Sequence, residues 1–107
     1  MRIEVLWFDG CPNYERARAA LDGVLTSRGV DASTIHSIVV DAVCAAALKF
    51  PGSPTIRVNG CDIEPGFRDP SSYPLSCSVY QTDRGLQGVP ETDWIERAID
   101  HALCQRD

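Results

Sequence analysis

Trp7-Phe8-Asp9-Gly10-Cys11-Pro12-Asn13-Tyr14 is the stretch that decides the fold. Before and within it, Ile3, Val5, Leu6, Trp7 and Phe8 are apolar, interrupted only by Glu4. Such a run predicts a strand over 3–8, covered on both faces of a sheet. Asp9-Gly10 predicts a turn. Proline is favoured at the first helical position, where its missing N–H costs nothing. Cys11 is therefore expected at or next to the N-cap of a helix. Tyr14, Ala17, Leu21, Val24 and Leu25 then recur at helical spacing, and Gly29 predicts the stop.

That position gives Cys11 a chemical meaning. A helix N-terminus presents unpaired N–H groups and about half a positive charge. Both favour the thiolate, which is the nucleophilic form of cysteine. Cys11 is the candidate nucleophile. The competing reading is a cysteine that only caps the helix.

The rest of the chain alternates strand and helix signals. A second strand is predicted over 36–40, parallel to the first through a right-handed crossover. Asp41 is placed to cap a short alanine-rich helix over 42–49. Phe50-Pro51-Gly52 breaks it, and a strand is predicted over 53–58. Asn59-Gly60 is a hairpin turn, with a return strand over 61–64. Residues 65–90 hold four prolines and three glycines without sustained periodicity. They predict a long loop with a short strand at 76–80. A last helix is predicted over 91–103, with Thr92 as its N-cap. Its apolar stripe is Ile95, Ala98, Ile99, Ala102 and Leu103. The expected order is β-α-β-α-β-β-α, in one domain over 1–107.

Composition sets further bounds. Apolar residues make up 44% and charged residues 23% of the 107 positions. The formal charge is −5. No basic cluster exists, so nucleic acid is not an expected partner. No apolar run approaches the roughly 20 residues of a membrane span. The first nine residues lack the long apolar core of a signal peptide, so a cytoplasmic protein is expected. The five cysteines are Cys11, Cys44, Cys61, Cys77 and Cys104. An odd count excludes complete pairing within one chain. No CxxC or CxxH spacing occurs, so neither a structural metal site nor a cofactor is expected.

Two motifs carry a resemblance: Phe8-Asp9-Gly10-Cys11-Pro12-Asn13, and Gly52-Ser53-Pro54-Thr55 about 40 residues on. Together with the element order, they resemble the thioredoxin/glutaredoxin superfamily. The closer likeness is to a group of small bacterial thioredoxin-like proteins related to selenoproteins. The resemblance covers most of the chain. It implies a thioredoxin-like three-layer α/β/α fold and thiol-disulfide oxidoreductase chemistry on protein or small-molecule thiols and disulfides. Cys11 becomes the catalytic thiol. Pro54 becomes a cis-proline facing the site. Pro12, Tyr14, Ser53 and Thr55 border the substrate.

One departure matters. Where the superfamily has a second cysteine, this chain has Tyr14. A dithiol cycle inside the motif is impossible. Either a small thiol resolves Cys11, or a distant cysteine does, or the redox activity is lost. Cys77, in Leu75-Ser76-Cys77-Ser78-Val79-Tyr80, is the leading distant candidate. Two other functions stay open. One is a soft-metal site for mercury or copper, formed by Cys11 and Cys77, since thiolates suit soft ions; the Cys77 region has a faint likeness to alkylmercury lyases. The other is an interaction module that keeps the scaffold without thiol chemistry.

Overall fold

The computed structural model describes residues 1–104. The central strand is β1 (Ile3–Trp7). It pairs in parallel with β2 (Ile35–Val39) on one side and antiparallel with β3 (Thr55–Val58) on the other. A short β4 (Cys61–Asp62) closes a hairpin on β3, giving the order β2-β1-β3-β4. The hairpin turn is Asn59-Gly60, with φ of 52° and 84°. Two positive φ values are the signature of a type I′ turn, whose twist matches that of the strands.

Alternation along β1 sends its side chains to two cores. Ile3 and Val5 are buried with Ile56 and Val58 of β3 against α1 (Tyr14–Ser27) and α2 (Thr92–Cys104). Ala17, Leu21, Val24 and Leu25 face this core from α1; Ile95, Ile99 and Ala102 face it from α2. Leu6 points the other way, into a smaller cluster with Val40, Ala45 and Phe50. Both helices thus lie on one face of a four-stranded mixed α/β sheet.

The helix α1 ends as its glycine predicts. Gly29 adopts φ of 70°, and the Val30 N–H reaches the Leu25 carbonyl at 2.9 Å. That is a Schellman closure. Arg28, at the same end, bonds Asp100 at 2.9 Å and Glu96 at 3.2 Å, tying α1 to α2.

Three expectations are corrected. First, 42–49 is a run of turns rather than an α-helix. Asp41 does cap it, accepting from the Val43 and Cys44 N–H groups. The chain must turn back early to seat both Ala45 and Phe50 under Leu6. Lys49, at φ of 50°, closes it through Phe50 N–H to Ala45 C=O at 3.0 Å. The third layer of the expected α/β/α sandwich is therefore built of turns. Second, 65–90 contains a hairpin, β5 (Tyr80–Thr82) with β6 (Gly85–Gln87). Tyr80 is buried and meets Trp94 of α2 edge-on at 5.9 Å, which anchors the hairpin. Third, α2 begins at Thr92, and Glu91 supplies the capping carbonyl to the Trp94 N–H. Among the described residues, no helix is long and apolar enough to cross a membrane.

Candidate functional site

Cys11 sits in a tight turn after β1. Its N–H donates to the Phe8 carbonyl at 3.1 Å, and Gly10 takes φ of 91°. A positive φ at the third turn position selects glycine. The helix starts later than expected: Asn13 is the N-cap and Tyr14 the first helical residue. Cys11 therefore precedes the cap by two residues. Its side chain is half-buried, and Pro12 beside it is exposed.

Tyr14 faces the sheet. Its ring stacks on Trp7 with centroids 3.9 Å apart and planes 19° apart. Ser37 of β2 accepts the Trp7 indole N–H at 2.9 Å and shares a hydrogen bond with the Tyr14 hydroxyl, also at 2.9 Å. Tyr14 is thus a brace between α1 and the sheet.

The Ser53–Pro54 peptide bond is cis. Ser53, Pro54 and Thr55 are all buried, and Ser53 and Thr55 have no exposed surface. They therefore border a substrate through no surface of their own. Polar groups here are satisfied internally, as burial demands. Thr55 donates to the Gly52 carbonyl at 2.6 Å. Ser78 Oγ donates to the Pro54 carbonyl at 3.0 Å, and the buried Tyr80 hydroxyl donates to the same oxygen.

Ser53 bonds both to the segment that leads into Cys11 and to the residues that flank Cys77. Its Oγ accepts from the Phe8 N–H at 3.3 Å, in the strand end that carries the Cys11 turn. Its own N–H donates to Ser76 C=O at 2.9 Å, and its C=O accepts from Ser78 N–H at 2.8 Å. These two bonds bracket Cys77, which pairs with Ser53 as an isolated parallel bridge. Paired residues on neighbouring strands point to the same face. Cys77 is exposed, and all five cysteines are free thiols.

Two crowded glycines went unread in the sequence. An added Cβ at Gly52 would lie 2.8 Å from Ser78 Oγ and 3.2 Å from the Ser78 backbone. At Gly88 it would collide with the Asn13 side chain. Gly52 was legible only as a breaker, and Gly88 only as a loop residue, because both approaches are long-range. Of the remaining cysteines, Cys44 is half-buried against Asp41, whereas Cys61 and Cys104 are exposed. His36 and His101 are exposed, away from either thiol in the pairing scheme.

A cleft of about 590 Å³ lies elsewhere, between Leu48, Lys49, Arg57, Asp62, Glu64 and Phe67. Burial pushes the Asp62 and Glu64 carboxyls above their ordinary range, and Asp62 adds to the shift at Glu64. Neither Cys11 nor Cys77 lines this cleft. Thiol exchange needs an exposed sulfur and an in-line approach rather than a deep pocket. Among the described residues, no group of three or more His, Cys, Asp or Glu side chains is placed to hold a metal ion. No family model, curated protein or solved structure matches this chain.

Proposed function

We propose that this chain is a thioredoxin-like thiol-disulfide oxidoreductase in which Cys11 attacks and Cys77 resolves. The observation that carries the proposal is the convergence of both thiol-bearing segments on Ser53. The strand order, the parallel β1–β2 pair, the β3–β4 hairpin and the two helices on one face support a thioredoxin-like arrangement. So does the tight strand-to-helix turn that carries Cys11.

The chemistry balances in two exchanges. The Cys11 thiolate attacks one sulfur of a substrate disulfide, forming a mixed disulfide and expelling the other half as a thiolate. The Cys77 thiolate then attacks Cys11 Sγ. A Cys11–Cys77 disulfide forms and the second substrate half leaves, so the substrate is reduced by two electrons. A small-molecule thiol in two steps, or a dithiol in one, restores the reduced protein. Substrates are exposed disulfides of proteins or small molecules.

Trapping tests this order. With oxidised glutathione, Cys77→Ser should accumulate one glutathione on Cys11, whereas the wild type passes through that adduct without accumulating it. Equal, persistent adducts on Cys11 in both proteins would remove Cys77 from the cycle. An absence of any adduct on Cys11 in Cys77→Ser would end the redox proposal. If mercuric ion is instead held one per chain through both thiols, and no exchange occurs, the soft-metal function takes its place.

A further inference from the structure

The eight glycines of the chain divide sharply by their surroundings. At six of them an added Cβ would meet nothing within 4 Å. The two crowded ones are Gly52 and Gly88, and both press on neighbours of the proposed thiol pair. Gly52 lies against Ser78, the residue after Cys77. Gly88 lies against Asn13, the helix cap two residues after Cys11. We infer that Gly52 and Gly88 are positioning residues: their missing side chains let the Cys77 strap and the Cys11 turn close onto the scaffold in the register that brings the two thiols together. This rests on the two-thiol cycle proposed above.

The two contacts act differently. At Gly52 the obstruction includes backbone atoms of Ser78, and φ is 154°. A side chain there must lift the strap, because neither the Ser78 backbone nor the local φ can adapt cheaply. Lifting it breaks the bonds between Ser53 and residues 76 and 78. At Gly88 the nearest obstruction is the Asn13 side-chain amide. A side chain there displaces Asn13, the residue whose carbonyl begins α1 at Ala17 with a 3.1 Å bond. Cys11 moves with it, while the sheet is untouched.

The test is the equilibrium of the protein with glutathione: dithiol plus oxidised glutathione giving the Cys11–Cys77 disulfide plus two reduced glutathiones. Peptide mass spectrometry across a range of redox buffers reads the constant. Gly52→Ala should lower it by about tenfold or more, the size an overpacking cost produces in an equilibrium constant. Gly88→Ala should lower it by a smaller but measurable factor. Gly23→Ala, on an open face of α1, should leave it unchanged. Asn13→Ser shortens the obstructing side chain, and the Asn13 side chain makes no capping bond to lose, so Asn13→Ser with Gly88→Ala should return the constant toward that of Asn13→Ser alone. A purely structural role would not give that rescue. If Gly52→Ala fails to fold, the Gly88 pair decides. If the wild type forms the disulfide and Gly88→Ala matches Gly23→Ala, the positioning role is overturned and the cycle stands. If the wild type forms no such disulfide, the cycle itself falls.

Discussion

Ser37 joins two aromatic side chains through one hydroxyl. It accepts the Trp7 indole N–H and shares a hydrogen bond with the Tyr14 hydroxyl. Tyr14→Phe keeps the stack on Trp7 and deletes the hydrogen bond. It should cost about 1 kcal/mol of stability, the net worth of such a bond, in a urea titration. Asp62 makes the opposite case. Burial raises its pKa, so the folded chain holds its proton more tightly than the unfolded one. Its folded state is penalised at pH values where the unfolded carboxyl is ionised. The penalty vanishes below the unfolded value of about 4. Asp62→Asn should therefore stabilise the protein near neutral pH, and the gain should shrink as pH falls toward that value. A gain that stays constant with pH would show that the Asp62 charge is not its source. Ser37 carried no signal in the sequence, and Ser53 was singled out for its place in the Gly52–Thr55 motif rather than for the N–H that it accepts. A serine that accepts an N–H from a strand more than twenty residues away looks like any other serine.

Elements were read best where one face and one stop signal defined them. α1 has an apolar stripe and a glycine, and its predicted end is the observed end. Gly29→Ala should cost about 1 kcal/mol, because alanine resists the left-handed conformation and no neighbour obstructs its side chain. Thermal unfolding would register it. The hairpin at Asn59-Gly60 was equally legible. The alanine-rich stretch was not, since helix propensity favoured a helix that tertiary packing cut into turns. Phe50 and Ala45 must both reach the cluster under Leu6. The β5–β6 hairpin was missed for a related reason. Its strands are three residues each, and Tyr80 holds them through a buried contact with α2 rather than through any alternating pattern.

At the scale of the whole molecule, two cores of unequal size flank one sheet. The larger joins both helices to β1 and β3, so truncations there should dominate stability. Ile99→Ala should cost about 2–5 kcal/mol, and Arg28→Ala, which removes the solvent-screened ion pairs nearby, much less. The carboxyls of Asp31, Asp41, Asp69 and Asp100 are all held below their ordinary range, by backbone N–H groups at the first three and by Arg28 at Asp100. Their stabilisation is present above about pH 4 and is lost as acid protonates them. Cys11 was legible as the candidate thiol because its turn is written in adjacent residues. Cys77 was named only as a candidate partner, because the contacts of its segment and of the Cys11 turn with Ser53 join residues far apart in the chain. The most direct test is to oxidise the reduced protein mildly with glutathione disulfide and map its disulfides by peptide mass spectrometry. The predicted product is a Cys11–Cys77 disulfide, formed within one chain and ahead of any pairing of Cys44, Cys61 or Cys104. Stable glutathione on Cys11 with Cys77 still free would contradict the account.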